Sequence, residues 1–226
     1  MNAIEQILLR QAILNGLLLV GLLFAVIYAA FLCWRPSGTL KTLVKSIPLP
    51  AFAIGAATAF AAPLSIAALA LSAVGDTALS RDGQRAFLIG LGAFAAAHLA
   101  YTLRFVSLAE GTPALLPAVV LIVLALSTER WLTPHTGALK WPVRVYVLLI
   151  TAMGLAALTL PADRIMGTIG AGLFIASDLL LAIQLFRMIE DTPLQRPVSI
   201  ALWTLYIGGQ LAILIGTAFA RPLFQI

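Results

Sequence analysis

Residues 70–105 read ALSAVGDTALSRDGQRAFLIGLGAFAAAHLAYTLRF. Two apolar runs flank the charged hairpin RDGQR, and each belongs to a stretch long enough to cross a hydrocarbon core of about 30 Å as a helix. Asp76 and His98 lie inside those runs. An ionisable group at that depth costs roughly 2.5–3.5 kcal/mol or more, which makes it a functional-site candidate by default. Asp178, in GLFIASDLLLAIQLF, is placed the same way. Asp76, His98 and Asp178 are therefore the candidate catalytic residues.

Outward from this hairpin the pattern repeats. The chain is 62% hydrophobic and 10% charged, with a mean hydropathy of +1.04, outside the range of soluble globular domains. Apolar runs of about 17–23 residues recur from end to end, and the reading is an all-α integral membrane protein, a bundle of about eight transmembrane helices. Barrel strands would alternate apolar and polar residues in runs of about ten, and none do. No loop is long enough to hold a soluble core, so residues 1–226 read as one transmembrane domain. The first apolar run is too long for a cleavable signal peptide and lacks a small-x-small exit. The lone Cys33 excludes an intramolecular disulfide and a thiolate metal cluster. The net charge of +5 comes from basic residues in short loops. They read as topology signals and contacts for anionic membrane lipids, with no nucleic-acid partner.

The expected spans cover about 12–34, 47–61, 63–79, 86–107, 114–131, 143–160, 167–187 and 199–219. Pro63 suits the first position of its helix, where a missing N–H does no harm. Eight spans leave both termini on one side. The loops after the first, third, fifth and seventh spans carry Arg35, Lys41, Lys45, Arg81, Arg85, Arg130, Lys140, Arg144, Arg187 and Arg196. The opposite side has Arg10, Arg104, Arg164 and Arg221. That bias predicts a cytoplasmic basic side and both termini outside, in a bacterial inner membrane.

Helical spacing collects the polar residues onto faces. Ser65, Ser72 and Asp76 share one face of the third span, and Phe94, His98 and Tyr101 share a stripe on the fourth. Ser177 and Asp178 lie on the seventh, Tyr146 and Met153 on the sixth, and Trp203, Tyr206 and Gln210 on the eighth. If these faces meet, they line one cavity. Two acids and an imidazole could instead be glue between helices, at roughly 1 kcal/mol each. Glue usually uses Ser, Thr, Asn or Gln, however, and an acid adds a large desolvation cost. Tyr101, Tyr146, Tyr206 and Gln210 suit either substrate binding or ordinary bundle core, while Ser72 and Ser177 read as packing residues. A zinc hydrolase would want about three His and a carboxylate, and only His98 lies within a span, so no metal is expected. No GxSxG elbow or phosphate-binding Gly-rich loop is present. Acid–base work by two carboxylates and one imidazole remains, with two rivals. One is a transporter or lipid-binding protein whose carboxylates relay protons; the other is a scaffold.

The order SAVGDTALS, FLIGLGAFAAAHLAYTLRF, VYVLLITAMGLAAL, GAGLFIASDLLLAIQLF and LWTLYIGGQLAILIG resembles the YhhN-like lysoplasmalogenase family, from Lys45 to about Gly216. The resemblance implies an eight-span enzyme that cleaves the vinyl-ether bond of lysoplasmalogens to a fatty aldehyde and a glycerophospho-base. It implies a lysophospholipid substrate, and the family's two aspartates and histidine match Asp76, Asp178 and His98. Such cleavage needs one acid kept protonated and one carboxylate kept ionised, with no cofactor. The aspartates are expected to act as a pair, and Asn at either is expected to leave stability unchanged or higher. The headgroup phosphate is expected to meet Lys45, Arg81 or Arg85 in the basic loops.

Overall fold

A computed structural model describes residues 2–189 and 192–220; Arg221 lies outside them. The described residues fold into nine α-helices: α1 (Ala3–Phe31), α2 (Thr39–Lys45), α3 (Pro48–Thr58), α4 (Pro63–Leu79), α5 (Gln84–Val106), α6 (Leu115–Trp131), α7 (Lys140–Ala157), α8 (Ile165–Phe186) and α9 (Gln195–Thr217). Seven segments are long and apolar enough to cross a membrane, the second being Thr39–Thr58, and the 17-residue α4 is a shorter apolar helix. The outward surface is itself apolar. Leu19, Leu116 and Leu148 are each more than 60% exposed, as a lipid-facing surface requires.

Two spans differ most from expectation, while α7 and α9 begin three and four residues early. The second was expected as one helix over 47–61, after a loop holding Lys41 and Lys45. Instead Thr39–Lys45 is itself helical, and the chain breaks at Ser46 and Ile47 before α3. The cause is Pro48 and Pro50. Neither has an N–H to return to the preceding turn, so the ladder stops and restarts with Pro48 in the first turn of α3. The first span begins nine residues earlier than expected because Asn2 and Glu5 form a capping box. It also ends earlier, at Phe31.

The loops gather as the alternation of spans demands. At one end, Ser37 bonds Asp82, Arg196 lies 4.4 Å over Trp34, and Arg187 contacts His135. At the other, Arg104 and Arg164 donate to carbonyls at the C-terminus of α9, Thr217 at 2.8 Å and Gly216 at 3.1 Å. Cations there satisfy orphan carbonyls and the helix dipole.

Close helix pairs fix the centre. A Cβ on Gly170 would stand 2.7 Å from the Gly209 carbonyl, and one on Gly216 would stand 2.4 Å from the Gly167 nitrogen. Helices α8 and α9 therefore touch through backbone, as small residues permit. On the other side, Gly75 accepts the ring of Phe94, locking α4 against α5. Phe94, Tyr101, Met153, Phe174 and Ile213 fill the space between, each 5% exposed or less. Helix α6 is peripheral, with only Ala118 and Thr128 buried.

Candidate active site

Asp76 stands one turn before the end of α4 and is 2% exposed. Its Oδ1 lies 3.4 Å from the Lys45 ammonium, and its Oδ2 accepts a 2.7 Å hydrogen bond from the Tyr206 hydroxyl. Lys45 is at the last position of α2 and 13% exposed, 5.9 Å above the Trp203 ring. Bonds from Ser46 to Thr77 and from Ser80 to Thr42 pin the end of α2 to the end of α4. The expected loop position of Lys45 is thus corrected: α2 carries its ammonium inward to the carboxylate. Arg81 and Arg85, by contrast, are exposed as expected.

Asp178, at mid-α8, takes different partners. Its Oδ2 accepts a hydrogen bond from the Tyr146 hydroxyl of α7 and lies 3.3 Å from His98 Nε2 of α5. His98 Nε2 is also 3.1 Å from the Tyr146 oxygen. Facing a carboxylate, Nε2 is a nitrogen that carries a hydrogen. The ring is fully buried, and Nδ1 has no partner among the described residues. Among those residues no Lys or Arg pairs with Asp178, whose side chain keeps 12% exposure.

The two carboxylates are separated by aromatic rings and do not bond to each other among the described residues. Phe174 packs 4.8 Å from His98 and 5.3 Å from Tyr206, centroid to centroid. Phe94 lies 5.8 Å from Tyr206 and 6.3 Å from Phe174. Each acid therefore has its own tyrosine, on either side of a Phe94–Phe174 partition.

The remaining polar residues form a third set. Tyr101 donates to Gln210 Oε1 at 2.5 Å, and Gln210 Nε2 donates to Ser72 at 3.0 Å. All three are sealed, one helical turn from Tyr206 and Asp76 and touching neither carboxylate. Ser72, read as a packing residue, is a hydrogen-bond acceptor here; its place four residues before Asp76 was the available signal. Ser177 donates to the Phe174 carbonyl within its own helix.

On the Asp178 side a cleft opens between α5, α6, α7 and α8, with about 890 Å³ of free space when its open side is included. Its wall is leucine, phenylalanine, isoleucine, valine and alanine, interrupted by Asp178, Tyr146, Thr128, Thr151 and Trp131. Lys45, Asp76 and Tyr206 take no part in it. The residues of α6 that complete this wall, between Leu121 and Trp131, were not singled out from the sequence.

The arrangement suits general acid–base chemistry beside an apolar chain: a carboxyl held by a phenol and an imidazole, with a second carboxylate nearby. Two proteins named lysoplasmalogenase, from Mycobacterium bovis and Mycobacterium tuberculosis, are each 31% identical over 163 residues, covering 69% of this chain. The chain spans 60% of the length of those relatives. No solved structure matches it. The model of the YhhN family matches residues 40–217, which include Asp76, His98, Asp178 and all their bonded partners. By that match, over everything from α2 to the end of α9, the chain belongs to the YhhN family.

Proposed function

We propose that this protein is a membrane hydrolase that cleaves the vinyl-ether bond of lysoplasmalogen-type lysophospholipids, releasing a fatty aldehyde and a glycerophospho-base. The observation that carries the reading is the pair of differently held carboxylates, Asp178 with Tyr146 and His98 and Asp76 with Tyr206 and Lys45, across one aromatic partition. The names of the mycobacterial relatives point the same way.

Vinyl ethers hydrolyse by protonation of the carbon remote from oxygen. A carboxyl donates that proton and leaves an oxocarbenium ion; water adds to the cationic carbon and loses a proton to a carboxylate. The hemiacetal then breaks its C–O bond, the glycerol oxygen takes a proton, and the aldehyde leaves. This cation resembles the one in glycoside cleavage, and it is served by a proton donor and a negative charge held in a water-poor site. Asp76, Asp178 and His98 are assigned this work, with Tyr146 and Tyr206 orienting the carboxylates. Residues 1–226 act as one transmembrane domain in a bacterial inner membrane, with the basic end cytoplasmic and the termini outside.

The transporter reading would draw support from a helix broken near the midplane. The break between α2 and α3, within the Thr39–Thr58 segment, is level with the last turn of α4, where Ser46 bonds Thr77. The test is to incubate purified protein with 1-alkenyl, 1-alkyl and 1-acyl lysophospholipids and measure products by mass spectrometry. Aldehyde from the alkenyl lipid alone is expected; fatty acid from the acyl lipid, or no product from any, would overturn the reading.

A further inference from the structure

We infer that the cleft between α5, α6, α7 and α8 receives the substrate's hydrocarbon chain, so that Asp178, and not Asp76, is the carboxylate that meets the vinyl-ether carbons. The inference rests on the hydrolase reading above and assigns within it what the sequence leaves joint. Three observations carry it.

The first is access. Asp178 and Tyr146 form part of the cleft wall, whereas Asp76, Tyr206 and Lys45 do not. A carbon acid–base step needs the donor in contact with the carbon, and only one of the two acids offers that from the cleft. The second is chemistry. Apart from Asp178 and Tyr146, the polar side chains on the wall are the hydroxyls of Thr128 and Thr151 and the indole of Trp131. Thr128 and Thr151 donate to carbonyls of their own helices, and the Trp131 indole donates to Ser127. An occupant with a polar headgroup would find no partner along this wall, while an alkyl chain loses nothing there.

The third is length and register. The α8 part of the wall runs from Ile175 to Phe186, about 16 Å of helix at 1.5 Å per residue. Asp178 stands about 4 Å from one end and about 12 Å from the other. A linear chain with its first carbons at Asp178 extends along Leu181, Ala182 and Leu185 toward the basic end of the bundle, which turns the headgroup away from Arg81 and Arg85 and replaces the expectation that the phosphate meets them. Ala182 is one turn beyond Asp178 on the same face, and Ala125 faces the cleft from α6. These two small side chains keep the channel open and so set the chain length accepted.

The experiment uses the full chain in detergent or nanodiscs and a saturated 1-alkyl lysophospholipid carrying a diazirine near the end of a long chain. This probe has no vinyl ether to cleave. Photolabelled peptides are mapped by mass spectrometry in wild type, Ala182→Phe and the peripheral Ala125→Phe, and aldehyde release from long- and short-chain alkenyl lysolipids is measured in parallel. Labelling should fall on α8 beyond Asp178 and on the facing part of α6. Either substitution should cut it at least about tenfold and raise KM for the long-chain substrate by a similar factor, with a smaller effect on the short-chain one. Because α6 is peripheral, Ala125→Phe keeps the test open if Ala182→Phe fails to fold. Labelling elsewhere, or unchanged labelling in both variants, while wild type still releases aldehyde, overturns the inference and leaves the hydrolase standing. A labelled cleft with no aldehyde from any alkenyl lipid supports the chain site and overturns the hydrolase, and with it Asp178 as the reacting group.

Discussion

The Asp178 and Asp76 halves of the site are built from the same parts and differ in two respects. Each carboxylate accepts from a tyrosine on a neighbouring helix. Asp178 is then backed by an imidazole and borders an apolar cleft, whereas Asp76 is closed off and bonded to an ammonium. A carboxylate that borders an open cleft can be touched by what enters it. One that is sealed beside an ammonium and a phenol meets only those partners. The contrast is between a group within reach of a substrate and a group that holds the structure around it.

Asp178→Asn should break this asymmetry most severely. The amide keeps the volume and can still bond Tyr146 and His98, but it has no proton to give to carbon. Aldehyde formation should fall by about 10²–10⁴, with the melting temperature close to wild type. A variant retaining most of the rate would remove Asp178 from the chemistry.

Asp76→Asn should also lower turnover, and here the structure changes the expectation about stability. With Lys45 as a partner, the neutral amide strands an ammonium that is only 13% exposed, and removing one member of such a pair costs about 3–5 kcal/mol. The variant should therefore unfold at lower temperature, and Lys45→Met in the same background should recover most of that loss without recovering activity. Thermal unfolding of the four proteins in this cycle measures it; additive effects would mean that the pair contributes no coupling.

The tyrosines sharpen the comparison at smaller amplitude. Tyr146→Phe should reduce kcat more than Tyr206→Phe, because it loosens the acid at the cleft. Tyr206→Phe should act mainly on stability, by about 1–2 kcal/mol, since it leaves a buried acceptor short of a donor. Smallest of all, Tyr101→Phe should cost stability through its lost bond to Gln210 and leave KM unchanged. A raised KM would return Tyr101 and Gln210 to substrate binding.

What the sequence revealed of this site follows from contrast. An acid or imidazole inside an apolar run of membrane-spanning length stands out, so Asp76, His98 and Asp178 are legible, as are the faces that carry Tyr146 and Tyr206. The pairing of Lys45 with Asp76 is not legible. It joins residues on different helices, and it depends on Pro48 and Pro50 interrupting a span so that a preceding helical turn can swing its last residue inward. The cleft is hidden for another reason. Leu121, Leu124 and Ala125 on α6 are apolar, like the residues that face lipid, and nothing in the local pattern separates a wall that another helix approaches from one that it leaves open. Helix α1 shows the same limit at its end, where a two-residue capping pair rather than hydropathy decides where the helix begins.

The most direct test of the central claim, proton transfer from Asp178 to carbon, is the isotopic composition of the aldehyde formed in D₂O. Wild-type protein acting on a 1-alkenyl lysophospholipid should release aldehyde carrying one deuterium on the carbon next to the carbonyl, and Asp178→Asn should release almost none. Aldehyde without that deuterium would mean that the carbon is never protonated from an exchangeable group. Singly deuterated aldehyde formed by Asp178→Asn at close to the wild-type rate would mean that another group delivers the proton; either result contradicts the account.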